Sequence, residues 1–321
     1  MESATMQAPG GAAASGDPEK GGLSTKAKVF IALGIYLAVA ILLLLIFGNE
    51  GKNEAFKPQN EFKLEPWVSI HLGGVDLSIN KAVLYLFLAS ALTIFTMTWI
   101  ARRMVQKPNR VQTAVEVAYD LTKNTITGGS LHGELARKWF PFIGALFFWI
   151  WFSNMLGFLP LPTNTEHTFS VGGLEIPSFA IYAATANIAI PLVLTLVVWL
   201  GYHVEGIRTH GVKGYFATWI PAGVEGAARV PIFMIEVISH FVRLISLSVR
   251  LFANILAGHL LILFMGGGLA VLLGLAALGW ITLPIAIAFY ILEVGLIATL
   301  QAFIFATLTS IYFGEATAGG H

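Results

Sequence analysis

The sequence contains no cysteine and few charged residues. The absence of cysteine excludes disulfides, thiol nucleophiles and cysteine-ligated metals. Charged residues make up 12% of the 321 residues, whereas a soluble domain carries about 25%. Hydrophobic residues supply 56% of the chain. This balance predicts an all-α polytopic membrane protein.

The sequence also lacks the motifs of several functional classes. The formal net charge is +1, so no overall field favours nucleic acid as a partner. There is no HExxH zinc motif, and no P-loop lysine follows the glycines at 266–268. The eight histidines are scattered without metal-ligand spacing. We therefore expect neither a metal nor a cofactor, and a membrane-embedded enzyme has little support.

The N-terminal region divides into a polar tail and an apolar run. Residues 1–28 are rich in glycine, alanine, serine and proline and end in Lys26 and Lys28, which is typical of a disordered tail. Residues 29–47 are long and apolar enough to cross a bilayer. A cleaved signal peptide is the alternative, but the run exceeds the usual apolar core of about 7–15 residues and no A-x-A site follows it. We favour a retained extra helix.

Five more apolar runs follow, separated by segments of different character. They cover about 83–100, 140–159, 179–202, 231–264 and 281–313. Residues 48–82 are polar and mixed, which indicates an extramembrane segment. Within 110–137, apolar residues recur at helical spacing, which predicts an amphipathic helix on the membrane surface. The glycine-rich residues 266–280 join the last two runs.

The distribution of lysine and arginine orients the six predicted spans. Basic residues are concentrated in 20–28, 102–137 and 203–229, whereas 162–177 contains none. Positive charge on short loops marks the cytoplasmic side. With six spans, all three basic segments fall on one side, so we expect both termini to be cytoplasmic and 48–82 to be extracytoplasmic. The consistent alternation supports counting 29–47 as a span.

The last two apolar runs are too long for upright membrane helices. At 1.5 Å per residue, 231–264 would be roughly 50 Å long, whereas the hydrocarbon core is about 30 Å thick. Because the ends of both runs are apolar, strong tilting would keep them in lipid. A kinked helix is the alternative, although the first run has no internal proline and Pro284 lies near the start of the second. We predict a hairpin of two inclined, antiparallel helices.

The first of these two helices carries an unusual number of polar residues. At 100° per residue, four polar side chains fall within about 40° of Arg250. They are Glu236, Arg243, Ser246 and Asn254. His259 points to the opposite side, roughly 13 Å further along the axis. Polar groups on two faces suit a wall with an aqueous path on either side.

Charged side chains are costly at membrane depth, so these residues are functional candidates by default. Each also has a structural alternative. Arg243 and Arg250 could extend their charged groups to the membrane surface. Ser246 and Asn254 could join helices by hydrogen bonds. His259 could be a hydrogen-bonded packing residue.

The second long helix carries Glu293 and Gln301 within its apolar run. A glutamate in such a run needs a partner, and His259 on the facing helix is the natural one. Because imidazole and carboxyl groups both gain and lose protons, such a pair can pass protons. A simple buried hydrogen-bonded pair is the alternative.

Two stretches of the last helices carry a specific resemblance. They read SLSVRLFANILAGHLLI at 246–262 and LQAFIFATLTSIYFGEA at 300–316. Both resemble subunit a of F-type ATP synthases, the stator of a rotary proton channel. The resemblance implies a channel domain over 83–321, with a helix hairpin against a ring of c subunits. The implied partners are that ring, the b subunits of the peripheral stalk, membrane lipid and, indirectly, the F1 sector, and the implied location is the bacterial inner membrane.

The resemblance implies roles for five residues around the ring. Arg250 resembles the essential arginine that faces the ring, and Asn254 and Gln301 match polar residues beside it. Glu236 and Ser246 match residues that line a half-channel to the cytoplasm. A proton would leave the ring along this second pair.

The resemblance implies an entry side formed by two further residues and adds a third residue as a secondary candidate. His259 matches a site that the family fills with glutamate or histidine, and Glu293 resembles its partner on the second helix. Asn154, in SNMLGFLP, matches the motif that ends the third span. By resemblance, a proton enters here, neutralises a carboxylate of the ring and leaves after nearly a full turn. The chain would then be a non-catalytic subunit, with the ATP chemistry in its partners.

Two departures from the family pattern lead to specific expectations. The acid of the second helix is usually seven residues before the glutamine, whereas Glu293 lies eight before Gln301. We hypothesise a one-residue π-bulge near Gly295 that restores the register. Around Asn187 the family often has an aspartate and an asparagine, whereas this sequence reads TANIAI, so Asn187 is a secondary candidate for the channel wall.

A secondary transporter that binds an anionic solute at Arg250 is the alternative function. Such transporters are expected to show internal repeats and helices broken at the bilayer midplane. The sequence shows neither, and the proton-channel subunit is therefore the preferred prediction.

Overall fold

The computed structural model describes residues 24–47, 62–73, 75–105, 107–171, 174–221, 223–268 and 276–318. Residues 1–23 of the predicted tail lie outside the described residues. Helices account for most of the described chain. The α-helices are α1 (Thr25–Phe47), α2 (Lys81–Arg103), α3 (Arg110–Asp120), α4 (Gly133–Gly157), α5 (Ala189–Thr218), α6 (Arg229–Leu263), α7 (Ala276–Leu292) and α8 (Ala298–Thr317).

Short irregular helices and two hairpins complete the fold. The π-helical turns are Leu121–Thr127, Phe264–Gly268 and Glu293–Ile297, and the 3-10 turns are Ala184–Ala186 and Gly226–Ala228. The antiparallel strand pairs are β1 (His71–Leu72) with β2 (Val75–Asp76) and β3 (Leu161–Val171) with β4 (Leu174–Ala180).

Five described segments have the length and hydropathy to cross a membrane. They are 81–102, 133–157, 189–218, 226–268 and 282–317. The prediction of an all-α polytopic membrane protein is therefore confirmed. The extra N-terminal helix exists as the 23-residue α1, but it is not among these five segments, so its crossing of the membrane stays a prediction.

The loop after α4 and the start of the fourth span differ from prediction. The segment 162–177 is not a plain loop, because β3 and β4 form a hairpin in which Pro162 pairs with Phe179. The fourth span consequently begins at Ala189 rather than at Phe179, and α5 is kinked at Gly211, where φ is 72°, before it ends at Thr218. A short apolar run fits a strand or a helix equally well by its periodicity. Pro191 lies in the first turn of α5, where proline is tolerated.

The structure places the boundary between the surface helix and the third span at a different residue from the predicted one. The helical parts of 110–137 are α3, the π turn Leu121–Thr127 and the start of α4, which begins at Gly133 rather than at Phe140. The Asn109 side chain accepts a hydrogen bond from the Gln112 N–H at 2.8 Å, which caps α3. The apolar face of 110–137 is therefore shared by two helices.

The core lies where α4 meets α8. These helices pack against each other, α2 packs on α4, and α5 packs on both α6 and α8. Large buried side chains fill the centre, among them Ile143, Phe147, Tyr202, Phe305 and Phe313. Because α5 and α8 cover one side of α6, its other side is left exposed.

The two over-long helices are antiparallel, as predicted. Arg243 in α6 contacts Glu315 near the end of α8, whereas Gly258, later in α6, contacts Glu293 before α8 begins. α6 alone has 35 residues, which at 1.5 Å per residue is about 50 Å. Their tilt in a bilayer stays a prediction.

Candidate functional site

Arg250 lies on the exposed face of α6. The buried face of this helix consists of Leu247, Leu251, Ile255 and Ile262. Ser246 and Asn254, one turn to either side of Arg250, share its exposed face. The neighbouring side chains on this face are apolar, with Ile245 57% and Val249 40% exposed. The predicted stripe around Arg250 is therefore a polar patch within an apolar surface.

Arg250 has no acidic partner within the described part of the chain. The ion pairs recorded there join other residues. A guanidinium at membrane depth is costly unless water or an anion compensates it. The exposed face of α6 thus calls for a polar or anionic group supplied by another molecule.

A cluster of charged groups lies toward the N-terminal end of α6. We name Glu236, His240, Arg243 and Glu315 the Glu236 cluster. Arg243 Nη1 lies 2.6 Å from Glu315 Oε2, and Arg243 Nη2 lies 3.8 Å from Glu236 Oε1. His240 Nε2 lies 3.6 Å from the same Glu236 oxygen. Glu236 Oε1 therefore lies close to nitrogen atoms of two other side chains of α6, His240 and Arg243.

The Glu236 cluster lines a cavity of about 230 Å³. Aromatic side chains form its walls, including Tyr202, Trp219 and Tyr312. The Arg243 guanidinium lies over the Tyr312 ring, 5.2 Å from its centroid, a cation–π arrangement. Glu315 is half exposed. The cavity has room for several water molecules, and its charged groups can exchange protons with them.

His259 lies on the opposite face of α6, as predicted, and is 1% exposed. Its Nδ1 is 3.0 Å from the Ile255 carbonyl oxygen and its Nε2 is 2.9 Å from that of Gly157. The ring stacks on Phe158 at 4.5 Å. A neutral imidazole has one N–H, so it can donate to one of these carbonyls, whereas a protonated ring donates to both.

Glu293 does not form the expected hydrogen bond with His259 among the described residues. Its carboxyl group lies instead against Gly258, the residue before His259. The side chain is 8% exposed, and its Oε2 has no hydrogen-bond partner in the described part of the chain. His259 does not bond to Glu293 because both of its ring nitrogens face backbone carbonyls. The two proton-exchanging groups are still adjacent.

The hypothesised π-bulge is confirmed. A π-helical turn spans Glu293–Ile297 and contains Gly295, and the Ala298 N–H donates to the Glu293 carbonyl oxygen. One extra residue in the turn offsets the eight-residue spacing between Glu293 and Gln301. Both side chains are accordingly buried, whereas Leu296 and Leu300 are exposed.

Asn154 connects the end of α4 to this π turn. Its Oδ1 accepts a hydrogen bond from the Thr185 hydroxyl at 2.8 Å, and its Nδ2 donates to the Ala298 carbonyl at 3.4 Å. All three residues are fully buried. Asn187 lies apart from this contact, because its side chain accepts from the Ala189 N–H at 3.0 Å and caps α5.

Several residues of the site were missed from the sequence. His240, Glu315 and Tyr202 line the cavity around Glu236, and Thr185 holds Asn154. The i, i+4 spacing of Glu236 and His240 was a local signal that could have identified the histidine. The other contacts join residues far apart in the chain, for which the sequence offers no local signal.

Comparison with known proteins places this geometry in one family. The family model described as ATP synthase A chain matches residues 83–314. A protein named ATP synthase subunit a from Bradyrhizobium diazoefficiens is 34% identical over 270 residues, which cover 82% of this chain and 98% of the relative. The protein of the same name from Parvibaculum lavamentivorans is 33% identical over 268 residues, 82% of this chain and 94% of the relative. The one from Paramagnetospirillum magneticum is 33% identical over 261 residues, 81% and 97% respectively.

Proposed function

Because this chain belongs to the ATP synthase subunit a family, we propose that Arg250 separates two half-channels through which protons reach and leave a rotating c ring. The family is the proton-translocating part of the F0 sector, and the alternative of an anion transporter has no support. The observation that carries the proposal is the position of Arg250. It lies exposed on α6 between the Glu236 cluster on one side and the His259–Glu293 pair on the other.

The half-channel toward the cytoplasm is assigned to the cavity of the Glu236 cluster. Glu236 lies toward the end of α6 that follows the basic segment 203–229, which the positive-inside rule places in the cytoplasm. The carboxylate lines a cavity of about 230 Å³. Ser246 lies on the same helix between this cavity and Arg250. A proton released from the ring would pass Ser246 and reach cytoplasmic water beside Glu236.

The half-channel from the outer side is assigned to His259 and Glu293. Among the described residues, the buried Oε2 of Glu293 lacks a hydrogen-bond partner, so it is available to accept a proton. The Thr185–Asn154–Ala298 contacts fix the π turn that carries Glu293. Gln301 is buried on the same helix. A proton would be taken up by these groups and then passed to a carboxylate of the ring.

Arg250 prevents protons from crossing between the two half-channels without rotation. An ionised ring carboxylate is stabilised beside the guanidinium but not in lipid. The guanidinium does not release its proton, so protons cannot hop through it. A lysine would carry the same charge, but an ammonium loses its proton more readily when buried. Rotation of the neutralised carboxylate through lipid is then the remaining route.

The exposed face of α6 and the family membership support a proposal for the partners. We propose that the exposed face of α6 around Arg250 meets the c ring, because the ring supplies the missing carboxylate. The b subunits and, through them, the F1 sector complete the assembly, and ATP chemistry takes place in those other subunits. We place the chain in the bacterial inner membrane with both termini in the cytoplasm.

Replacement of Arg250 tests the proposal directly. We expect Arg250→Ala to abolish ATP-driven proton pumping in inverted vesicles while the subunit still assembles with the c ring, because the exposed side chain makes no contact that the fold needs. Pumping is measured by quenching of a pH-sensitive dye, and assembly by co-purification of the ring. Arg110→Ala, on the surface helix α3, is the matched control and is expected to pump normally. Coupled pumping by Arg250→Ala would refute the assignment.

A further inference from the structure

His240 is a buried titratable group to which the half-channels described above assign no role. It lies on α6 and is 6% exposed. Its Nδ1 is 2.9 Å from the Tyr202 hydroxyl, and its Nε2 is 3.6 Å from Glu236 Oε1. The ring packs on Trp219, with 4.4 Å between centroids. Each nitrogen of this imidazole therefore faces a different oxygen that can exchange protons.

The contact with Tyr202 is compatible with a neutral ring that carries its proton on Nε2. In this tautomer the Tyr202 hydroxyl donates to Nδ1, and the protonated Nε2 lies 3.6 Å from Glu236 Oε1. The titratable groups nearest the ring are Tyr202, His203 and Tyr215 of α5, Glu236 and Arg243 of α6, and Tyr312 and Glu315 of α8. With both carboxylates ionised, these groups carry two negative charges and one positive charge. One further proton on His240 would make the cluster neutral.

His240 also lies between Arg250, where a proton leaves the ring, and Glu236, where the proton reaches water. It precedes Arg250 by ten residues and follows Glu236 by four. These separations correspond to about 15 Å and about 6 Å along the helix axis. A proton that leaves the ring at Arg250 therefore reaches the level of His240 before that of Glu236.

We propose that His240 is a proton-accepting residue of the cytoplasmic half-channel that passes protons from Tyr202 to Glu236. This inference rests on the proposed function of the chain. A proton that arrives from the ring past Ser246 binds the Tyr202 oxygen while the original hydroxyl proton moves to His240 Nδ1. The Nε2 proton then moves to the Glu236 carboxylate, which releases it to water. The ring then loses its Nδ1 proton to water in the cavity and takes up one proton from this water at Nε2, an exchange with no net transfer, and the Tyr202 hydroxyl rotates back to donate to Nδ1.

The test measures proton flux through the membrane sector alone. Inverted vesicles stripped of F1 expose the cytoplasmic cavity to the bath, and an inward potassium gradient with valinomycin drives protons outward. We expect His240→Ala and His240→Gln to lower this flux by about 10-fold or more, the scale of a lost proton-transfer group. Co-purification of the c ring is measured for both variants, and the glutamine variant keeps the bulk of the side chain.

Chemical rescue separates proton transfer from a structural role. In His240→Ala, imidazole in the bath is expected to enter the enlarged cavity and restore at least half of the flux. Pyrazole, a ring of the same size that does not accept a proton near neutral pH, is expected to restore none. His203→Ala is the matched control, because this neighbouring imidazole bonds to the Trp199 carbonyl and does not line the cavity; its flux is expected to stay within about twofold of wild type and to be unaffected by imidazole.

The possible outcomes differ clearly. Rescue by imidazole but not by pyrazole supports the relay. Equal effects of the two rings, or normal flux in assembled His240→Gln, would overturn it while leaving the proposed function intact. If wild-type vesicles conduct no protons, the proposed function fails and the relay fails with it. Added imidazole can itself carry protons across the membrane. The flux of wild-type vesicles with the same imidazole concentration is therefore measured to correct for this effect.

Discussion

At the scale of single residues, Gly258 and Glu293 form an unusually close contact across the hairpin. A Cβ atom on Gly258 would lie 2.3 Å from the carboxyl carbon of Glu293. The absence of a side chain at residue 258 is therefore what allows the carboxyl group to lie beside His259. The small residue was not singled out in the sequence, because its importance depends on a contact with another helix.

Gly258→Ala is expected to displace the Glu293 carboxyl group and to lower ATP-driven pumping in inverted vesicles. The physical reason is the overlap of the new methyl group with the carboxyl atoms. A displacement of about 1 Å in a proton-transfer geometry can reduce the rate by about 100-fold, and we expect a loss of about 10- to 100-fold. The dye-quenching assay measures the change, and co-purification of the c ring normalises it for assembly.

Two further variants distinguish a local clash from a general defect. Gly266→Ala is the control, since a Cβ at that glycine meets no atom within 4 Å, and pumping is expected to be normal. Glu293→Asp combined with Gly258→Ala shortens the acid by one methylene and is expected to recover part of the activity. Normal pumping by Gly258→Ala alone would contradict the close contact.

Arg243 illustrates how a residue's surroundings decide between alternatives. The sequence left it as either a member of the polar stripe or an arginine extending toward the membrane surface. Its guanidinium lies 2.6 Å from the Glu315 carboxylate of α8 and faces Glu236 of its own helix. The side chain therefore belongs to the cavity, where its single positive charge is shared between two carboxylates.

At the scale of elements, the π turn Glu293–Ile297 sets the phase of α7 relative to α8. Eight residues separate Glu293 from Gln301, and on an unbroken α-helix they would differ by about 80°. A seven-residue spacing without a bulge gives about 20°. The bulge therefore makes an eight-residue spacing equivalent to a seven-residue spacing.

Deletion of Gly295 is consequently expected to be tolerated. The shortened segment can close as a regular α-helix with Glu293 on the same face, so we expect pumping within about threefold of wild type. Insertion of one alanine after Gly295 adds a further rotation of about 100° and is expected to lower pumping by about 10-fold or more. Both variants are measured in inverted vesicles after normalisation for assembly. If the deletion is as harmful as the insertion, the π turn has a role other than restoring the phase.

The fourth span shows the opposite case, in which the sequence pattern was misleading. Residues 179–188 are apolar enough to continue a helix, but the structure uses their first part in β4 and the 3-10 turn Ala184–Ala186. Pairing with β3 supplies the backbone hydrogen bonds that a helix would otherwise supply. A partner strand cannot be recognised from the apolar run alone, because the run is too short for its periodicity to distinguish a strand from a helix.

At the scale of the whole molecule, the orientation in the membrane can be tested with single cysteines. The chain has no cysteine, so any introduced thiol is its only one. Ser24, Thr125 and Ser170 are exposed and lie before α1, in the π turn after α3, and in β3. We expect Ser24→Cys and Thr125→Cys to react with an impermeant maleimide in inverted vesicles, and Ser170→Cys to react in right-side-out vesicles.

The same set of variants decides whether α1 crosses the bilayer. If it crosses, Ser24 and Thr125 lie on the same side, because two spans separate them. If it does not, only α2 separates the two residues and Ser24→Cys reacts in right-side-out vesicles instead. A reversed pattern for Thr125→Cys and Ser170→Cys would refute the proposed orientation. The family match begins at residue 83. The channel assignment would therefore be unchanged if α1 were found not to cross the bilayer.

The membrane class, the antiparallel pair of long helices and the polar stripe around Arg250 follow from composition and from residue spacing within one helix, where 100° per residue fixes which side chains share a face. The π turn was inferred from a one-residue departure from the spacing of the family that the sequence resembles. The tertiary structure decided which of those residues are buried and what they contact. Glu315 reaches Arg243 across 72 residues, and Tyr202 reaches His240 across 38. Such contacts depend on how helices pack, which no local pattern encodes, and for that reason His240 and the Gly258–Glu293 contact emerged only from the fold.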